Sequence, residues 1–388
     1  MKSLIIGQNR RIMIETYSFL EDAGQDVDLI TTHKFFKHAP ALKSYYYIRN
    51  SAELIKKIKG FPLSQYTLIV IADDPTISLI LNSSLPHNIK LKLLPVLSSK
   101  NYMHLCSKVG LAKIFTQFKV SQPNYKIINS NEELEKIIRD SKVPHMAKID
   151  FSTNGEGVFD LSLNTDVNKL FNSPLLRYPL LIQERISGQH IDLSAFFQNG
   201  NLIYFSYSVI EKRAGDKYSA SSVRSFFAIT KKDKNIFRAI SKIGKALGAH
   251  GFTNISGVQS FEDKKIYFYE ADVRPTAWIK YPSFIGINGP NIVRDFFYSK
   301  TSNFIDSISQ APERKILVPH IYKLHIWELA CNKYNCWNFI GDTSLPALLK
   351  ELLMSDCKYI VTLTFSSLRL NMALTQIKSI YRKFSIGE

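Results

Sequence analysis

Residues 2–7 (KSLIIG) are an apolar run closed by glycine, the pattern of a buried strand. Residues 9–23 then place Ile12, Ile14, Tyr17, Leu20 and Ala23 close to helical spacing before Gly24. Residues 27–31 predict a second strand. Strand, helix, strand is how a doubly wound parallel sheet begins. A helix over 52–58, a strand over 66–72, a helix opening at Pro75 with Asp74 as N-cap, and a strand over 93–97 continue it. Residues 1–98 therefore read as one α/β unit, without a GxGxxG loop.

The pattern then becomes mixed. A helix is predicted over 100–118, broken by Gln122-Pro123, and a capping box (Ser130, Glu133) opens a helix that runs to 140. Strands follow over 145–149, 158–161 and 180–184, with the small loop 152–157 (STNGEG) and a short helix over 166–172 between them. Residues 190–197 and 201–209 form a hairpin around Asn199-Gly200, and 213–223 read as a mobile polar loop. Ile236, Ile240, Ile243 and Leu247 mark an amphipathic helix ended by Gly248. A last hairpin, 255–261 and 266–269, closes on Glu270, Asp272 and Arg274. Acids two apart on a strand point the same way, and Arg274 shares that face if the strand continues. Two carboxylates beside an arginine suit a hard divalent cation and the phosphates it bridges.

Composition changes this picture little. The 388 residues predict two or three domains, and 45% hydrophobic with 21% charged residues is ordinary for a globular chain. The longest uncharged apolar run, 66–72, is too short to span a bilayer, and the N-terminus lacks a signal-peptide pattern, so a cytoplasmic location is expected. Four cysteines are not a disulfide framework. A net charge of +17 allows an anionic partner, but no basic run exceeds three residues, so a nucleic-acid role is the minor reading. Tyr45, Tyr46 and Tyr47 could line a cleft or pack on a neighbouring unit.

Past a helix at 292–298, two apolar patterns (316–329, 359–365), a helical stretch (345–354) and a basic amphipathic tail (368–384) are less readable. The tail reads as a solvated helix, with an oligomer contact or membrane-surface helix as alternatives. His320, His325, Cys331 and Cys336 do not have finger spacing and read as structural.

A strand lysine before a glycine loop, a strand ending in Gln-Glu, a long hairpin and a closing Glu-x-x-x-Arg-Pro occur here in one order. That order resembles the ATP-grasp superfamily, especially carboxylate–amine ligases and biotin-carboxylase-like members. The resemblance covers residues 1 to about 300. It implies an α/β and α+β chain: a Rossmann-like pre-ATP-grasp domain (1–98), an ATP-grasp domain of two subdomains (99–300, with a lid over about 120–185 and a larger part over about 186–300), and a C-terminal extension (301–388).

By the same resemblance, Lys108 and Lys148 would reach nucleotide phosphates, and Ser152, Asn154, Gly155 and Gly157 would belong to the flap over them. Gln183, Glu184, Arg185 and Ile186 would form the adenine hinge, with His190 or Asp192 near the ribose and Lys212 or Arg213 as a further phosphate contact. Glu270 and Asp272 would hold Mg²⁺ (or Mn²⁺), and Arg274 would stabilise the acyl-phosphate step beside Lys148. Three departures matter: Gln259 stands where an acid is usual, Asp272 where an asparagine is usual, and His190 at the ribose position, which is commonly acidic. The implied activity is ATP-dependent joining of a small carboxylate, such as an amino acid or peptide, to an amine, in a chain that could be a homodimer. A degenerate ATP-binding module and a basic nucleic-acid-associated protein are the alternatives.

Overall fold

The computed structural model describes residues 1–34, 36, 42, 44–152, 155–214, 218–228, 234–298, 315–320, 328, 331 and 334. Three sheets carry the described residues. The first is parallel, in the order β3-β2-β1-β4, from β1 (Lys2–Gly7), β2 (Asp26–Thr31), β3 (Ser44–Tyr47) and β4 (Leu68–Ile71). Residues 4–6 of the central β1 and all of the edge strand β4 are apolar and mostly buried. α1 (Arg10–Asp22), α2 (Ser51–Lys59), α3 (Asp74–Asn82) and α4 (His87–Leu93) connect it. Asn9 caps α1 by accepting the Ile12 N–H. No described helix is long and apolar enough to cross a membrane.

Four expectations for the first 118 residues change, the first being the cap of α3, which is Asp73 and not Asp74. Residues 93–97 do not join the sheet: α4 ends at Leu93, Pro95 has no N–H for a ladder, and the segment instead crosses to the third sheet. There His250 N–H donates to the Pro95 carbonyl (3.0 Å) and Leu97 N–H to the Gly248 carbonyl (2.9 Å). The tyrosine triplet is strand β3 rather than a cleft wall, with Tyr45 Oη donating to the His33 carbonyl (2.9 Å) and Tyr46 edge-on to Phe61. The 100–118 helix is broken: a turn of 3₁₀ helix over Ser99–His104 gives way at Cys106, whose φ is +59°, and α5 (Lys108–Gln117) starts afresh under its Ser107 cap.

The second sheet is antiparallel, in the order β5-β8-β6-β7, from β5 (Tyr125–Ile128), β6 (His145–Ile149), β7 (Val158–Asp160) and β8 (Leu180–Glu184). α6 (Asn131–Asp140) and α7 (Asn164–Phe171) supply Leu134 and Leu170 to its small core with Ile149, Phe159 and Leu180. The forward half of the capping box is present, with Ser130 Oγ accepting from Glu133 N–H (3.3 Å), while Glu133 Oε2 accepts from the N–H of Asn129, one residue before the cap (2.8 Å).

The third sheet runs β13-β12-β9-β10-β11-β14, all antiparallel. Its strands are β9 (Gly188–Gln198), β10 (Asn201–Arg213), β11 (Ser221–Phe227), β12 (Gly251–Ser260), β13 (Ile266–Asp272) and β14 (Lys315–Pro319). The 213–223 loop is thus shorter than expected, because Ser221 already pairs with Arg213. α8 (Lys234–Leu247) and α9 (Gly289–Phe297) cover one face, and a single core joins them to the first sheet. Phe196, Phe252 and Phe19 pack edge to face across that junction. Residues 345–354, 359–365 and 368–384, with His325 and Cys336, lie outside the described residues.

Candidate active site

A cavity of about 600 Å³ lies between the second and third sheets, closed at one end by the starts of α3 and α5. Lys108, Lys148, Ser152, Gly155, Gln183, Glu184, Ile186, His190, Glu270, Asp272 and Arg274 all line it. Residues drawn from positions 108 to 274 therefore meet in one place.

Local order brings them there. Lys108 is the first residue of α5, and its ammonium donates to the carbonyls of Asp150 (3.1 Å) and Ser152 and to Ser152 Oγ (3.0 Å). Asp150 answers from the other side, accepting Ser107 Oγ–H (2.9 Å) and Val109 N–H (2.8 Å) at the helix N-terminus. The start of the glycine loop is thereby pinned to α5. Gly155 has φ +81°, and a Cβ there would lie 2.5 Å from the Tyr218 carbonyl, so only glycine fits. Gly155 and Tyr218 meet at that contact. Gly157 does not reach the cavity; it packs against Ser152 and Ile149, and Asn154 lies outside the described residues.

Lys148 sits on β6, 8% exposed, with its ammonium 4.7 Å from the centre of the Tyr269 ring. Among the described residues no carboxylate stands within ion-pair distance of it. Burial pushes its pKa down to about 8, against the attraction of Glu270 and with a smaller push from Lys108. At the far end, Gln183 is buried with its Oε1 unpartnered, while Glu184 accepts from Asn124 (2.8 Å) and Arg185 donates to Asp160 (2.6 Å).

The acidic end owes its geometry to a bulge. Glu270 pairs with Ser256, but Gly257 pairs with Phe268, so Tyr269 is surplus on β13. Tyr269 and Glu270 consequently both face the cavity although adjacent, and Tyr269 Oη meets His190 Nδ1 at 3.1 Å. Arg274 lies past the strand end: its N–H donates to the Asp272 carbonyl (2.8 Å). Its guanidinium is clasped by Asp272 Oδ2 and Asp74 Oδ2, each at 2.7 Å. Burial pushes the Asp272 carboxyl up, opposed by Arg274 and reinforced by Asp74 and Glu270. Asp74 is free for this role because Asp73 is the cap of α3.

Three assigned residues stand elsewhere. Gln259 pairs with Gln189 on the sheet's other face; Val258, opposite His190, is the residue that lines the cavity. Asp192 is committed to Arg224 (2.5 Å) and Ser256 Oγ (2.5 Å) beneath the floor, so His190 alone remains of that pair. Lys212 pairs with buried Glu328 (2.6 Å), and register shifts between Ile210 and Arg213 turn Arg213 to the cavity instead. Asp74 and Tyr269 are the additions. Arg213 was flagged as the alternative to Lys212, and Tyr269 carried no signal because a bulge cannot be read from alternation.

No family model and no curated protein matches this sequence. Solved structures do match. The chain is similar to L-amino acid ligase from Bacillus licheniformis at 14% identity, over 76% of this chain and 74% of that one, with a TM-score of 0.56. It is similar to phosphoribosylglycinamide synthetase from Anaerococcus prevotii at 16% identity, over 82% and 80%, with a TM-score of 0.56. It is also similar to the biotin carboxylase domain of the Hydrogenobacter thermophilus 2-oxoglutarate carboxylase, a dimer in complex with MgADP, ADP and bicarbonate, at 13% identity over 81% and 73%, with a TM-score of 0.60. These likenesses are likenesses of fold, and the fold is the ATP-grasp fold that the motif order implied.

Proposed function

We propose that the chain is an ATP-dependent carboxylate–amine ligase, with residues 1–98, 99–300 and 301–388 as its three units. One observation carries the reading. A buried ammonium without an anion (Lys148), a buried amide oxygen without a donor (Gln183) and an exposed carboxylate (Glu270) line a single cavity of nucleotide size. Each is an unmet demand that ATP answers: phosphate for Lys148, the adenine amino group for Gln183, and a phosphate-bound cation for Glu270.

In the proposed reaction a substrate carboxylate oxygen attacks the γ-phosphorus, the bond to ADP breaks, and an acyl phosphate forms. An amine nitrogen then attacks the acyl carbon, phosphate leaves, and the amine loses a proton. Lys148 neutralises charge on the phosphoryl oxygens, and Arg274, held at two points, orients the carboxylate without having to reorganise. Lys108 already satisfies three oxygens of the loop, so it acts first by fixing that loop. The meeting of Gly155 with residue Tyr218 keeps water from the acyl phosphate. Glu270 and Asp272 are hard oxygen donors that suit Mg²⁺, which would supply charge neutralisation when bound; two carboxylates suffice when phosphates complete the shell.

The test is ADP release with Mg-ATP across pairs of amino acids and amines. Turnover that Lys148→Ala abolishes, in a variant with an unchanged fold, supports the reading. ATP binding without hydrolysis for any pair would favour a nucleotide-binding module, the second reading, which Gln259 where an acid is usual and an apolar Val258 at the cavity wall support.

A further inference from the structure

Tyr269 is the surplus residue of the β13 bulge, and the bulge turns it into the cavity beside Glu270. Regular alternation would have sent one of the two to the other face. Three nitrogen-bearing side chains converge on this phenol. From β6 of the second sheet, the Lys148 ammonium lies 4.7 Å from the ring centre. From β9 of the third sheet, His190 stands edge-on to the ring and brings Nδ1 to 3.1 Å from the hydroxyl oxygen. From β10, Arg213 reaches the same side chain with a hydrogen bond, while its Nη1 donates to the Ser219 carbonyl (2.7 Å). Burial, with Asp192 and Glu270 nearby, keeps the phenol protonated. The group at the centre is therefore neutral.

Neutrality has a use here. Cations that must grip one phosphate chain repel one another while the site is empty. A carboxylate at position 269 would hold them, and would also compete with the phosphates for them. An aliphatic side chain would hold none. A phenol attracts an ammonium through its ring face and accepts from a guanidinium through its oxygen, each more weakly than a phosphate oxygen does. It keeps the donors in place and still yields them.

We propose that Tyr269 is a positioning residue for the phosphates of the nucleotide: its ring holds Lys148 on one wall of the cavity, its hydroxyl holds Arg213 on the other, and both are released to the phosphate chain on binding. The proposal rests on the reading of the cavity as an ATP site. Because the donors are arranged beforehand, Tyr269 contributes to phosphate affinity and not to that of the nucleoside.

The experiment is calorimetric titration of the full chain with adenosine, ADP and inorganic tripolyphosphate, each with Mg²⁺. Tyr269→Leu should weaken ADP and tripolyphosphate at least tenfold and adenosine less than threefold. Tyr269→Phe keeps the ring beside Lys148 and loses only the oxygen, so ADP should weaken three- to fivefold with adenosine unchanged. In a Lys148→Ala background, Tyr269→Leu should weaken ADP no more than fivefold, because the ring then has no ammonium to hold. Equal losses for adenosine and ADP would mark Tyr269 as packing alone and overturn the proposal. So would unchanged ADP affinity in Tyr269→Phe, a leucine effect undiminished by Lys148→Ala, or no binding of either ADP or tripolyphosphate. The phenylalanine variant decides the matter if the leucine variant does not fold. ADP that binds alike in all three proteins removes the proposal and leaves the ATP reading standing. Tripolyphosphate binding that depends on Tyr269, with ADP bound no more tightly than tripolyphosphate, leaves the positioning role standing and removes the ATP reading.

Discussion

Replacing Lys148 with methionine should make the protein more stable and inactive at once. The ammonium is 8% exposed on β6 and faces an aromatic ring instead of a carboxylate. Its pKa falls from 10.5 to about 8. At about 1.36 kcal/mol per tenfold change, holding the charged form in place costs roughly 3 kcal/mol. Methionine fills the same volume without charge but forfeits the contact with Tyr269, about 0.5–2 kcal/mol. A net gain on the order of 1–2 kcal/mol at pH 7 follows. The pH dependence has a definite sign. Between about 8 and 10.5 the unfolded chain binds more protons at Lys148 than the folded one, so wild-type stability rises through that window. The methionine variant lacks this rise, and its advantage should fade above pH 10. Urea unfolding at pH 7 and pH 10 reads both effects, with ADP release measured in parallel. A variant destabilised by the 2–5 kcal/mol typical of core truncation, or one that still turns over, would refute the reasoning.

Glu270→Gln should lower turnover by about two to three orders of magnitude with Tm nearly unchanged, since its carboxylate is exposed and holds no described partner; steady-state ADP release and a thermal scan check it. Lys212→Ala should cost about 1–3 kcal/mol by removing an ammonium that pairs with buried Glu328, and leave ATP affinity intact, whereas Arg213→Ala should weaken ATP binding; chemical unfolding and nucleotide titration separate the two. His104 is held neutral with its pKa lowered to about 4 by burial, so stability should be complete above pH 6.5 and fall by roughly 3 kcal/mol as pH drops to 4. A His104→Gln variant whose unfolding free energy falls equally steeply over that range would exclude this source.

The order of motifs along the chain was enough to indicate the fold, because each is a local pattern: a strand lysine, a glycine loop, a capping box, a hairpin ending in acids. What sequence could not supply was phase. Lys212 and Arg213 are neighbours, and only the register shifts of β10 decide which one faces the cavity. Val258 and Gln259 differ by one residue, and pairing with β9 decides between them. Asp192 was implied as a ribose ligand by the resemblance, and its partner Arg224 comes to it only through the pairing of β9, β10 and β11. Asp73 and Asp74 were legible as a helix start, but which of them caps and which turns outward depends on β1 approaching from 64 residues away.

The clasp on Arg274 also dictates when the site can exist. Asp74 and Arg274 are 200 residues apart in sequence, and their contact closes a loop containing all of the second sheet and most of the third. Long-range closures are entropically late, so the guanidinium gains its second anchor only after both sheets have folded and docked. Fragments that end before 274, or begin after 74, would retain the lysines or the acids without that two-point hold. On the proposed ligase reading, competence to react requires both sheets in place, so a partly folded chain would lack the two-point hold needed to spend ATP.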